Sequence, residues 1–265
     1  MLQQTQAERV APKWQEFLEA FPTLEALAAA PPAAVIRAWA GLGYNRRAVH
    51  LHRMARAVVA RYGGVVPADT AALRRLPGVG PYTARAVAAI AFGLPEAAVD
   101  TNVRRVLTRV VGGESVLSTT WVQAGADVLV PGERPGDWNQ ALMELGATLC
   151  TARAPQCDAC PVRRLCAAVP YIRALREHEG RYQAPRANLS QGRYPGSRRY
   201  YRGRIVELLR RAERADGLTA VQIGAQLRSD FASDDLAWLQ QLLADLERDG
   251  LVVWDGERAR LPEEA

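Results

Sequence analysis

Leu76–Ala84 reads "LPGVGPYTA" and lies within a longer run, Asp69–Gly93, "DTAALRRLPGVGPYTARAVAAIAFG". Apolar residues recur at helical spacing on both sides, and Pro77–Gly80 breaks the pattern only briefly. That predicts a helix, a tight hairpin and a second helix. Gly78 and Gly80 allow positive φ and close backbone approach, so N–H groups can point at an anion where the second helix begins. A G-x-G corner between helices also serves simply as a C-cap and sharp turn. The surrounding sequence has to decide.

Outward from this hairpin the first 170 residues read as short helices with little strand signal. "WQEFLEAF" is helical, and "TLEALAAA" follows with Thr23 as N-cap. "AAVIRAWAGLGY" ends at Gly41 and Gly43, and "AVHLHRMARAVVARYGG" ends at Gly63–Gly64. "VDTNVRRVLTRVVG" and "DWNQALMELGATLC" supply two more, which makes an all-α domain. Asp100 stands in "VDTNVRRV" just after an apolar run and just before a helix. Its ordinary role there is an N-cap.

All four cysteines fall between Cys150 and Cys166, spaced C-x6-C-x2-C-x5-C at Cys150, Cys157, Cys160 and Cys166. Structural zinc sites usually show two short knuckles well separated in sequence. Only one short knuckle exists here, and Pro155 and Pro161 hold the outer cysteines in compact loops. Four thiolates wrapped this closely suit a 4Fe–4S cubane, one cysteine per iron, with zinc as the alternative.

Between Tyr171 and Arg214 twelve arginines face four glutamates, with Tyr182, Tyr194, Tyr200 and Tyr201 interleaved. This is either a solvated linker or a basic arm that follows phosphates, with tyrosines available to stack. Beyond it, "RGRIVELLRRAERA", "TAVQIGAQLR" and "DDLAWLQQLLADLERDGLVVWDGERARLP" read as three helices and a β-hairpin turned at Asp255–Gly256. That order predicts a small winged-helix-like module. The expected division is 1–170, an arginine- and tyrosine-rich linker at 171–200, and the module at 201–265.

The formal charge is +6 and the pI about 9.4, a balance that favours a polyanionic partner. Nearly all of the positive charge is arginine, because Lys13 is the only lysine. No apolar run is long enough to span a bilayer, and "MLQQTQAERV" lacks the basic and apolar regions of a signal peptide. The expectation is a cytoplasmic, nucleoid-associated chain with reduced thiols, acting as a monomer without membrane contact.

Hairpin, aspartate and four-cysteine loop, in that order, resemble the helix-hairpin-helix DNA glycosylases of the endonuclease III superfamily, and within it the MutY family of adenine DNA glycosylases. The resemblance runs from Met1 to about Cys166. It rests on "MLQQTQ", "GLGYNRRA", "LPGVGPYTARAV", "VDTNVRRVLTR", "WNQALMELGA" and the cysteine loop. It implies a 4Fe–4S cofactor held by the four cysteines and, as partner, double-stranded DNA containing a mismatch. The implied reaction is hydrolytic removal of adenine mispaired with 8-oxoguanine or guanine, without strand cleavage. Asp100 then corresponds to the catalytic carboxylate, which stabilises or captures the positive charge that builds on the deoxyribose. Tyr82 stands where lyase-competent relatives have lysine, and Asn102 matches an asparagine beside the aspartate. Gln3 and Tyr44 match residues that enter the duplex near the extruded base, with Gln4 beside them. Gly78, Gly80 and Thr83 belong to the phosphate-gripping hairpin, and Gln140 to a segment that contacts the adenine edge.

Two departures qualify the resemblance. In that family a general-acid glutamate lies two residues before "MLQQT", where this sequence begins, and Glu8 is too far along to replace it. Acid catalysis typically supplies ~10²–10⁴-fold, so base release is expected to be severely impaired in the chain as it stands. The C-terminal region, moreover, does not resemble the Nudix-like domain that such proteins often carry. Two alternatives therefore stand beside adenine excision. One is a thymine–guanine mismatch glycosylase, whose members can also have tyrosine at the Tyr82 position. The other is a non-catalytic DNA-binding homologue.

Overall fold

The structure, a computed structural model, describes residues 1–3, 5–113, 115, 117–179, 193–212 and 216–264. Gln4 and Tyr182 lie outside the described residues. Helices α1 (Ala7–Ala20), α2 (Leu24–Ala29), α3 (Pro32–Ala38) and α4 (Arg46–Tyr62) come first. They are followed by α5 (Thr70–Arg74), α6 (Pro81–Phe92), α7 (Thr101–Gly112), α8 (Thr119–Leu129), α9 (Pro135–Thr148) and α10 (Val169–Glu179). The C-terminal third holds α11 (Arg198–Arg211), strand β1 (Leu218–Thr219), α12 (Ala220–Leu227), α13 (Leu236–Arg248), β2 (Val253–Trp254) and β3 (Arg258–Arg260). Apart from these short strands the fold is helical, as the residue pattern predicts.

The chain forms two compact units. One comprises Met1–Val66, Leu76–Gly78 and Leu189–Ala265, the other Pro67–Arg75 and Val79–Asn188. In the first, one continuous core runs from Phe17, Ile36, Trp39 and Ala48 to Ile205, Leu239, Leu242 and Leu251. The helix α13 shows why: Leu239, Leu242, Leu243 and Leu246 recur at three- and four-residue spacing and are all buried. The C-terminal helices thus share their apolar interior with α1–α4. The expected hairpin turns at Asp255–Gly256, where Asp255 Oδ1 accepts from the Glu257 and Arg258 amides at 2.9 and 2.7 Å. The strand β1 completes an antiparallel sheet in the order β1-β3-β2, the topology of a winged helix. Two residues are too short for a strand to announce itself, and Thr219 also caps α12 through a capping box with Gln222.

The described part of the arm makes contacts within the fold. Tyr194, Tyr200, Tyr201 and Trp238 form an edge-to-face ladder with ring centroids 4.9–5.6 Å apart, in which Tyr194 remains 50% exposed. Four of the arm's arginines are ion-paired within the fold. Arg198 and Arg202 pair with Asp245, Arg202 also with Asp249, and Arg210 and Arg211 with Glu207.

In the second unit α7 crosses α9 closely, and Ala97, Val103, Leu107, Val122 and Ala126 form its core. A Cβ on Gly146 would stand only 2.7 Å from the Asn102 Cβ, which explains the glycine in "ELGA". Ser118 starts α8 by accepting from the Trp121 amide.

Candidate active site and nucleic-acid interface

Asp100 is placed from both sides. Upstream, the fully buried Asn139 on α9 accepts from the Ala98 amide at 2.7 Å and donates to the Glu96 and Pro135 carbonyls at 2.9 and 2.8 Å. That satisfies an extended backbone segment the core would otherwise leave unpaired. Downstream, Asp100 Oδ1 accepts from the Val103 amide at 2.7 Å and caps α7. The N-cap expectation holds, and Oδ2 accepts no hydrogen bond among the described residues.

Tyr82, in the first turn of α6, is half-buried, and its hydroxyl donates to Met143 Sδ at 3.1 Å. Burial pushes the phenol pKa up, and the Asp100 charge pushes it further the same way. The two residues therefore share one electrostatic environment in which the phenol stays neutral. Asn102 Oδ1 accepts from Arg105 at 2.8 Å, and Arg105 also donates to the Gly146 and Cys150 carbonyls. Gln140 is exposed on α9. Its neighbour Asn139, which sequence reasoning passed over in "WNQAL", does the structural work.

All four cysteines line one cavity, with Val106, Val110, Leu149, Pro155, Val162 and Ile172 completing a largely apolar wall. Short 3-10 turns at Cys157–Ala159 and Arg163–Leu165 set the spacing of the last three thiols. Burial raises the Cys166 thiol pKa, with Cys150 and Cys160 adding to the shift. The buried guanidinium of Arg109 donates to Cys150 Sγ at 3.2 Å and to the Thr151 and Ala152 carbonyls at 2.8 and 3.1 Å. Among the described residues no three His, Cys, Asp or Glu side chains converge as one metal ion would require. Thiols set around a cavity, with a cation against one sulfur, fit a polynuclear iron–sulfur cluster.

In the first unit Arg47 gathers two segments that the sequence separates by forty residues. Its guanidinium donates to the Met1, Gln3 and Leu42 carbonyls and to Thr5 Oγ1, and lies over the Trp39 and Tyr44 rings. Gln3 and Tyr44 are thereby brought onto one surface. Tyr44 is 46% exposed and has φ +45°, in the left-handed region. Sequence reasoning singled out the tyrosine in "GLGYNRRA" but not the arginine that backs it.

The hairpin differs from expectation in one respect. Gly78 has φ +76°, and a Cβ there would approach the His50 Cβ to 2.5 Å. Gly80 does not need positive φ: it is extended, φ −83° and ψ 175°, as the N-cap of α6. Space around a Gly80 Cβ is open to 4 Å, so nothing inside the fold demands glycine there. Thr83 is half-buried in the first turn of α6.

Residues 1–121 match the HhH-GPD superfamily of base excision DNA repair proteins, and residues 150–166 match the iron–sulfur binding domain of endonuclease III. The adenine DNA glycosylase of Mycolicibacterium smegmatis is 42% identical over 247 residues, covering 92% of this chain and 80% of that protein. The human adenine DNA glycosylase is 47% identical over 173 residues, 63% of this chain and 32% of that protein. A thermostable thymine-DNA glycosylase aligns with TM-score 0.60 and 34% identity over 64% of this chain and 80% of its own. A trapped endonuclease III–DNA covalent intermediate aligns with TM-score 0.55 and 30% identity over 62% and 78%. The cofactor of the 150–166 segment is a 4Fe–4S cluster. No described helix is long and apolar enough to cross a membrane. The chain therefore belongs to the adenine DNA glycosylase family, DNA-binding base excision repair glycosylases of the helix-hairpin-helix superfamily.

Proposed function

We propose that this protein hydrolyses the N-glycosidic bond of adenine mispaired with 8-oxoguanine or guanine in duplex DNA, as a monomer, and leaves the strand intact. The observation that carries the reading is the Asp100 carboxylate, held by one oxygen as the N-cap of α7 while the nearby Tyr82 phenol donates to Met143 Sδ instead. As C1′–N9 lengthens, the deoxyribose gains positive charge, which the Asp100 carboxylate stabilises or captures. Adenine departs with the C1′–N9 electron pair and takes its proton from solvent, because none of the assigned residues is a general acid, which makes release slow. Water then adds at C1′ and gives up its proton to solvent. Strand cleavage through an imine needs an amine. Tyr82 has none, and the only lysine, Lys13, is ion-paired with Glu16 on α1.

In this reading Asn102 positions the first turn of α7, and Gln140 reads the adenine edge. Gln3 and Tyr44 enter the duplex and offset the unstacking cost of extrusion, with Gln4 beside them. Gly78, Gly80 and Thr83 form the phosphate grip, and the bare Gly80 surface suits close approach by a backbone phosphate. Cys150, Cys157, Cys160 and Cys166 each bind one iron of the cluster, which supplies a rigid, charged support for the loop. A cytoplasmic, nucleoid-associated setting is part of the same proposal.

The likeness to a thymine-DNA glycosylase favours a second reading, excision of thymine opposite guanine. Single-turnover assays on duplexes carrying A opposite 8-oxoguanine, A opposite G and T opposite G separate the two. Release of adenine from the first two substrates supports the proposal, and release of thymine alone replaces it.

A further inference from the structure

We propose that Arg210, on the C-terminal helix α11, is a positioning residue for base extrusion, holding the Tyr44 loop through Asn45. The inference rests on the reading of Tyr44 as a side chain that enters the duplex.

Arg210 is an expensive residue for its place. Its side chain is only 8% exposed, and burial pushes its pKa down. An apolar side chain of similar volume often serves a core as well as a buried ion does, so directed bonds have to account for the charge. They run to one stretch of chain. Nε donates to the Ile36 carbonyl and Nη2 to Asn45 Oδ1, both at 2.9 Å, while Glu207 stands 3.4 Å from Nη1.

Asn45 precedes α4 as its N-cap residue, yet its side chain makes no cap bond and its backbone is helical, φ −52° and ψ −27°. The amide is committed to Arg210 instead. The residue before it is Tyr44, in a conformation that L side chains keep only when their surroundings hold them. Arg47 grips the Leu42–Gly43 carbonyls from the side of the N-terminal segment. Arg210 secures the next residue from the side of the C-terminal helices.

Those helices are themselves fixed to the same unit. Asp249 faces Arg46 at 3.4 Å, the Ala33 amide donates to the Pro262 carbonyl at 2.8 Å, and Glu263 faces Arg37 at 3.5 Å. The C-terminal module thus acts on the duplex by fixing the angle at which Tyr44 leaves the surface, without touching the base.

The test uses the whole 265-residue chain and a duplex with 2-aminopurine beside the mismatch, whose fluorescence rises on unstacking. Arg210→Met and Asn45→Ala should each lower the fluorescence rise and the single-turnover rate by roughly ten-fold, the scale of a sub-ångström misplacement. Affinity for fully paired duplex, set by phosphate contacts, should stay within about two-fold. In a Tyr44→Ala background the same substitutions should cost no more than about two-fold further, because they act through that ring. Asn45→Ala carries the test if Arg210→Met does not fold. A wild-type signal in Asn45→Ala, or a full ten-fold loss in the Tyr44→Ala background, overturns the inference alone. Wild-type behaviour of Tyr44→Ala itself overturns the Tyr44 reading, and the inference with it.

Discussion

The Tyr82 hydroxyl donates to Met143 Sδ at 3.1 Å, while the charge of Asp100 raises its pKa. The phenol is oriented by a soft sulfur acceptor and leaves the carboxylate oxygens for other work. Had it donated to Asp100, it would have spread the negative charge that the sugar cation needs.

An alkaline stability change follows. The unfolded chain loses the Tyr82 proton near the ordinary value of 10.0, whereas the folded protein keeps it longer. The Tyr82 contribution to stability is therefore complete below pH 10 and falls as pH rises from there through the folded-state pKa. Tyr82→Phe should flatten that limb in urea titrations taken on both sides of pH 10. An unchanged slope would mean that the phenol is not shifted.

Acid acts through a different residue. His52 is buried on α4, its Nε2 has no partner among the described residues, and desolvation lowers its pKa from 6.5. Below pH 6.5 the unfolded chain takes up a proton that the folded protein refuses, so stability present above that pH is lost as pH falls. His50 shifts in the same direction and adds to the trend. Comparing His52→Leu with wild type isolates the His52 share: the variant should show the shallower acid limb between pH 6.5 and 5.

The two hairpin glycines should separate fold from binding. Gly78→Ala places a methyl group against His50 in a left-handed backbone and should cost stability by about 1–3 kcal/mol. Gly80→Ala meets open space and an extended backbone, so it should fold normally. Gly80→Asp should also fold, yet weaken binding to all duplexes alike by placing a like charge at a phosphate. Salt titrations of duplex affinity check this. Undiminished affinity in Gly80→Asp would remove the hairpin from the interface.

Anaerobically purified protein should be brown and contain about four irons per chain, one per thiolate. Arg109→Met removes the donor to Cys150 Sγ and should speed iron loss on exposure to oxygen, with the helical circular dichroism retained. Colourless protein with stoichiometric zinc would refute the cluster assignment.

What the residues reveal in advance depends on how far each signal reaches. Asp100, Thr23 and the Asp255–Gly256 turn act within three residues of themselves, and each stands where local chemistry puts it. The cysteine loop is equally local. Helix α8 passed unnoticed because only Val122 and Ala126 are buried in it, while Trp121, Val128 and Leu129 stay exposed. Such a face carries little periodic contrast. Arg47 and Arg210 were invisible for another reason: their acceptors are carbonyls and an amide as many as 174 residues away, and an arginine's sequence neighbours say nothing about distant backbone. The tyrosine ladder was not legible because aromatic–arginine alternation looks the same whether the rings stack on bases or on one another.

The most direct test compares single-turnover base release by wild type and Asp100→Asn on a duplex with A opposite 8-oxoguanine. Asparagine caps a helix about as well as aspartate, so α7 and duplex affinity should survive the substitution. Only the negative charge is lost, and base release should fall by ~10²–10³-fold or more. Product strands from the wild type should remain intact until alkali is added. Base release by Asp100→Asn at the wild-type rate, or strand cleavage without alkali that sodium borohydride traps as a protein–DNA adduct, would contradict the account.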